Sequence, residues 1–158
     1  MKIDIKKFKW MKKEAIEEYN KIDQVFCPYL GEDVVFNNKG LRHLRFKSWN
    51  RSRSVADQYM RFKLLKFAVK VLKDSYTLQE FSESKNLERV QINSRWEQRA
   101  VAVKYYGFVA IIDEVRIKVI VKEVKSGNKF FWSLIPCWKQ DRGKLNKKIL
   151  HIGNLEDD

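Results

Sequence analysis

Cysteine, proline, glycine and histidine are all scarce in this chain: two, two, six and two among 158 residues. Cys27 and Cys137 form no CxxC pair, and with His43 and His151 they lack the spacing of zinc ligands. Two reduced, partly buried thiols are therefore expected, with no metal site and no disulfide framework. So few prolines and glycines exclude a long flexible linker, and no repeat or low-complexity tract interrupts the chain, so residues 1–158 read as one domain. No apolar run reaches the roughly 18–20 residues of a spanning helix. Even residues 115–124 are broken by Arg116, Lys118, Lys122 and Glu123. The opening MKIDIKKFKW has the charge of a signal peptide but no apolar stretch behind it, so no membrane partner and a cytoplasmic location are expected. Walker, GxGxxG, HExxH and GxSxG patterns are missing, and no cofactor is expected.

What is present is apolar material and positive charge. Hydrophobic residues at 44% and aromatics at 13% suffice for a packed core. The formal net charge is +13, and residues 39–73 hold most of it. The cations there are Lys39, Arg42, Arg45, Lys47, Arg51, Arg53, Arg61, Lys63, Lys66, Lys70 and Lys73, against one acid, Asp57. Such a segment calls for an acidic partner, and nucleic acid fits best, because lysine and arginine release its condensed counterions.

Residues 6–20 space Phe8, Met11, Ala15, Ile16 and Tyr19 as one helical face. Residues 24–27 and 33–36 are short β-type runs around a turn, a hairpin. Asn37 and Asn38 offer capping oxygens for a short helix over residues 40–46. Residues 48–54 are turn-like, and Ser52 or Ser54 caps a longer helix over residues 55–72. Along it Lys63, Lys66, Lys70 and Lys73 fall on one solvent-facing stripe, and Asp57 sits one turn from both Arg53 and Arg61. Residues 82–86 read as loop. Strands are predicted over residues 100–105, 108–112, 115–124 and 130–135, divided by Gly107, by Asp113-Glu114 and by Ser126-Gly127-Asn128. The fold expected is α+β: N-terminal helices packed on a twisted antiparallel β-sheet of about four strands. The helical part takes residues 1–75, the sheet part residues 87–136, and a basic loop and frayed tail residues 139–158.

His43 lies among Arg42, Arg45, Lys47 and Arg51, with His43 and Lys47 one helical turn apart, so both can reach one phosphate. A metal-free ribonuclease needs a base, an acid and cations on the phosphorane, and histidine with arginine or lysine supplies them. Strand alternation sends Phe131, Ser133 and Ile135 to one face and Phe130, Trp132 and Leu134 to the other. Ser133 then interrupts an apolar face with a hydroxyl able to orient a phosphate, while Trp132, Trp138, Tyr105 and Tyr106 can stack on bases. The ExK-like Glu123-Val124-Lys125 stands about 30 Å along its strand from Asp113, too far to share a metal.

Three segments carry a family resemblance: VFCPYLGEDVVFNNKGLRHLRFKSWNRSR, VLKDSYTLQEF, and the strand block ending in KFFWSLIP. Their order resembles the small nuclease superfamily named after barnase, EndoU, colicin and RelE nucleases, in particular its phage-associated members. The resemblance spans residues 25–136. It departs where those members often carry a proline after the second helix and this chain has Leu72-Lys73-Asp74-Ser75. It implies metal-independent cleavage of RNA rather than DNA, by a toxin or phage effector, with an acidic inhibitor protein as a further partner. It implicates His43, Arg45, Lys47, Arg51 and Ser133 in catalysis. Arg42, Arg53, Arg61, Lys63, Lys66, Lys70, Lys73, Tyr105 and Trp132 are the nucleic-acid-binding residues expected beside them. The alternative expectation is a basic protein that binds nucleic acid without cutting it, and a third is an adaptor for an acidic protein.

Overall fold

A computed structural model describes residues 2–48, 51–137 and 155–156. Helix α1, Ile5–Lys21, starts where the Asp4 carboxylate accepts the Lys6 N–H at 2.9 Å, and it buries Phe8 and Tyr19. Strands β1 (Gln24–Cys27) and β2 (Glu32–Val35) pair as an antiparallel hairpin that buries Val25, Cys27 and Val34. Helix α2, Asn38–Arg45, is capped by Asn37, whose side chain accepts from the Lys39 and Gly40 N–H groups. Gly40 is required here, because a Cβ at this position would stand 2.1 Å from the Phe131 carbonyl oxygen.

Short strands β3 (Phe46–Ser48) and β4 (Arg51–Ser52) pair separately from the main sheet. The long helix expected over residues 55–72 is interrupted: α3 is Val55–Leu64, a 3-10 turn takes Leu65–Phe67, and α4 is Ala68–Lys73. The tightened turn sets Leu65 and Ala68, three apart, on the same buried side.

Four long strands follow: β5 (Glu80–Ile92), β6 (Arg95–Ile112), β7 (Val115–Val124) and β8 (Lys129–Cys137). The sheet has six strands, ordered β1-β2-β8-β7-β6-β5, not about four. It is mixed, because β2 joins β8 in parallel at Val35↔Phe130. Two further expectations are corrected. Residues 82–86 are strand, and Gly107 lies inside one continuous β6, where the missing side chain lets Glu80 and Lys118 meet across it. The turns Asn93-Ser94 and Asp113-Glu114 hold both residues at positive φ, as tight two-residue hairpins require.

One face of the sheet packs against the helices. Phe108, Ile117, Val119, Val121, Phe131 and Leu134 join Tyr19, Leu44, Phe62, Val71 and Leu72 in the main core. The opposite face is also covered: Val101, Val103, Tyr105 and Ile120 cluster with Leu155. Leu155 is 5% exposed, so this part of the segment expected to fray is packed. Lys118 and Lys122, on the second face of β7, are buried as well. Among the described residues no helix is long and apolar enough to cross a membrane, which says nothing of β-barrels.

Candidate functional site

The polar side chains around His43 form one connected chain of contacts at the edge of β8. Asp57 on α3 lies one turn from Arg53, just before the helix, and one turn from Arg61 within it. Its carboxylate takes Arg53 Nη1 at 3.2 Å and Arg61 Nε at 2.7 Å. Arg53 reaches α2 with Nε 2.9 Å from the His43 carbonyl oxygen and Nη2 3.0 Å from His43 Nε2. Arg61 reaches β8, where Nη1 donates to Ser133 Oγ at 2.6 Å and to the Leu134 carbonyl at 3.2 Å. Gln58 Nε2 donates to the Arg53 carbonyl, and Lys12 Nζ to Gln58 Oε1. The arginine side chains are 4% and 5% exposed, the Asp57 side chain 36%.

The arrangement fixes the protonation of His43. A guanidinium only donates, so Nε2 facing Arg53 is the acceptor, and the ring is neutral with its proton on Nδ1. Its other face stacks on Trp132, with ring centroids 4.0 Å apart. Burial first, then the charges of Arg53, Arg61 and Lys122, push its pKa down to about 2. With its lone pair held by Arg53, His43 has no free site for a substrate proton in this arrangement. Burial alone would raise the Asp57 pKa. The charges and hydrogen bonds of Arg61 and Arg53 outweigh it and hold the carboxyl below its usual range.

Several expected groupings change. α2 ends at Arg45 and β3 begins at Phe46, so Lys47 does not share a helical face with His43; Lys47 is exposed and His43 buried. Arg53 and Arg61 are buried, and so are Tyr105 and Ser133, so none lies open to a nucleic acid here. The alternation expected on β8 is broken by a bulge opposite Ile120 and Val121, which brings Phe131 and Leu134 into the same core. That extra residue sets Trp132 against His43 and Ser133 against Arg61. The sequence carried one signal of the network, a lone aspartate one turn from each of two arginines. It carried none for the His43–Trp132 stack. Cys27 is buried, and burial raises its thiol pKa. Trp138, His151 and, of the basic loop and frayed tail expected over residues 139–158, all but Leu155 and Glu156 lie outside the described residues.

The remaining nine cations of residues 39–73 are exposed: Lys39, Arg42, Arg45, Lys47, Arg51, Lys63, Lys66, Lys70 and Lys73. The Arg42 and Arg45 guanidiniums lie 5.7 and 5.5 Å from the Phe46 ring, and Lys39 Nζ lies 5.7 Å from the Phe130 ring. Burial first, and then the charge of Arg45, lower the pKa of Lys12 on α1, which packs against Gln58 and Phe62 of α3. Lys70 pairs with Asp74 at 2.7 Å, an exposed contact that contributes little.

A second run of contacts leads from Trp132 across the sheet. Lys122 Nζ stands 4.1 Å above the Trp132 ring and 2.7 Å from Glu88 Oε1. Trp132 Nε1 donates to the Glu156 carbonyl at 3.1 Å. Among the described residues no three His, Cys, Asp or Glu side chains are grouped to hold a metal ion. Fold and site together define a strongly basic α+β protein in which half-exposed Asp57 joins buried Arg53 and Arg61, and Arg53 joins buried His43, beside nine exposed cations. No protein-family model matches the chain, and no curated protein or solved structure matches it.

Proposed function

We propose that this protein acts on RNA and grips its backbone with the exposed cations of residues 39–73. One observation carries the reading: nine of the eleven cations stay in solvent, while the segment's one acid is turned to the two that do not. With the Asp57 carboxylate paired to Arg53 and Arg61, the exposed cations keep a net positive charge able to track phosphates. The test is the salt dependence of binding to a labelled single-stranded RNA, compared with a variant carrying Arg45→Glu, Lys47→Glu and Arg51→Glu. Three lost phosphate contacts lower the slope of log K against log salt by about 2. An unchanged slope and affinity in the variant would overturn the reading.

Cleavage of the bound RNA is a second reading, favoured by the contact chain that joins His43 to Ser133 through Arg53, Asp57 and Arg61. In it a 2′-hydroxyl attacks the adjacent phosphorus, its proton passes to a base, and the 5′-oxygen leaves with a proton from an acid. The products are a 2′,3′-cyclic phosphate and a 5′-hydroxyl. His43 Nε2 serves as that base only once Arg53 has left it for the phosphate, which also removes the nearest cation opposing imidazolium. Ser133 holds Arg61 rather than the phosphate, and Arg45, Lys47 and Arg51 supply charge from outside. Chelator-insensitive formation of the cyclic phosphate by the native protein, lost in His43→Gln with RNA affinity kept, supports cleavage. Intact RNA under the native protein leaves binding alone.

A further inference from the structure

The sheet face turned away from the helices carries groups that nucleotides use, and part of the chain itself lies on them. Tyr105 carries a ring there, Trp132 its indole N–H and Asn86 an amide, while Lys122, paired with Glu88 at 2.7 Å, sets an ammonium 4.1 Å above the Trp132 ring. Leu155 is buried there in a cluster with Val101, Val103, Tyr105 and Ile120, and it lies 3.6 Å from where a Cβ on Gly107 would be. The Glu156 carbonyl accepts from Trp132 Nε1 at 3.1 Å, and its carboxylate accepts from Asn86 Nδ2 at 3.0 Å. Asn86 Nδ2 also lies 3.3 Å from Tyr105 OH. The indole held by Glu156 is the one stacked on His43. A leucine side chain thus fills the apolar part of the face, while an acidic residue takes the donors beside the lysine.

We propose that Leu155–Glu156 occupies a nucleotide-binding site on this face, so that the chain's own acidic segment and RNA compete for Trp132 Nε1, the Asn86 amide and Tyr105. The inference rests on the RNA reading above and adds to it a site and an occupant. An aromatic platform with N–H donors and a nearby ammonium recognises single-stranded nucleic acid by stacking and charge. Glu156 offers the same acceptor chemistry as a phosphate or a base edge. Because the segment is tethered, it competes at the high effective concentration of a linked ligand, and RNA affinity is reduced by the fraction of molecules in which it is docked.

The experiment compares the full chain with Leu155→Ser, which removes the apolar anchor without changing net charge. The probe is a fluorescein-labelled oligouridylate at fixed salt, read by anisotropy. Leu155→Ser is expected to bind about tenfold more tightly than the native chain, as release of a mostly docked competitor requires. Glu156→Ala, which keeps the leucine in place, is expected to tighten binding several-fold, and it serves alone if Leu155→Ser does not fold. Native-like affinity in these variants, with the native chain itself binding RNA, overturns the competition and leaves the RNA reading standing. No binding by the native chain or either variant overturns the RNA reading and the competition with it.

Discussion

The protonation of His43 makes a measurable demand on stability. In the fold the imidazole is neutral, with a pKa pushed down from 6.5 to about 2 by burial and then by Arg53, Arg61 and Lys122. In the unfolded chain it titrates near its ordinary value. Between those two pH values the unfolded state binds more protons, so stability is full above the unfolded pKa and is lost as pH falls. Each pH unit below about 6.5 removes about 1.4 kcal/mol, so acidifying from about pH 7 to about pH 5 costs about 2 kcal/mol through this residue alone. Asp57, held below its usual range, titrates beneath that window and does not confuse it. The assay is urea unfolding across this range for the native chain and for His43→Gln, whose amide oxygen still accepts from Arg53. Subtracting the two curves cancels every other titrating group. The difference should shrink by about 2 kcal/mol towards pH 5, because only the native chain loses this term. Parallel curves would show that His43 takes up its proton equally in both states, and would refute its burial against Arg53.

Asp57→Ala leaves two guanidiniums, 4% and 5% exposed, without their shared carboxylate, and should cost about 3–5 kcal/mol in urea unfolding at neutral pH. A loss below about 1 kcal/mol would mean that the arginines find solvent instead. Gly40→Ala drives a Cβ to 2.1 Å from the Phe131 carbonyl, where neither backbone can yield, so a loss of at least about 3 kcal/mol is expected. Gly31→Ala meets no atom within 4 Å and carries only the strain of its φ of +66°, about 1 kcal/mol. Equal losses at the two glycines would refute the close approach of α2 to β8.

Local features of the sequence were legible where one segment decides its own fate. Asn37 and Ser54 cap helices through their side chains, as expected, and α1 buries Phe8 and Tyr19 of the face that its spacing defines. The turn at Asp113-Glu114 falls where expected. Gly107 misleads because a glycine inside a strand looks like a turn until the partner across it is known, here Glu80 packed beside Lys118. The polar run over residues 82–86 looks like loop because β5 is an edge strand, which needs no apolar inner partner on both sides. Lys118 and Lys122 break the apolar run of residues 115–124, yet both are buried and pair with Glu80 and Glu88 of β5. The site divides in the same way. The Arg53–Asp57–Arg61 spacing is visible in one short stretch of sequence, whereas the contacts of His43 with Trp132 and of Arg61 with Ser133 depend on a bulge and on long-range docking.

The buried network and the exposed cations do different work. Replacing a buried ion pair by well-packed apolar residues is often neutral or favourable, so burial of Arg53 and Arg61 is weak support for stability as such. What the pair does supply is position. Arg53 ties β4 and the start of α3 to the α2 backbone through the His43 carbonyl, and Arg61 ties α3 to β8 through Ser133 and the Leu134 carbonyl. Arg45, Lys47 and Arg51 lie on the stretch between His43 and Arg53, whose two ends the Arg53 Nε bond to the His43 carbonyl holds together. The same anchors oppose catalysis in the resting arrangement, because the bond that positions Arg53 occupies the lone pair that a base must use. Under the proposed function, binding and cutting make opposite demands on one contact, Arg53 Nη2 to His43 Nε2, because only a phosphate that draws that guanidinium away frees the imidazole lone pair.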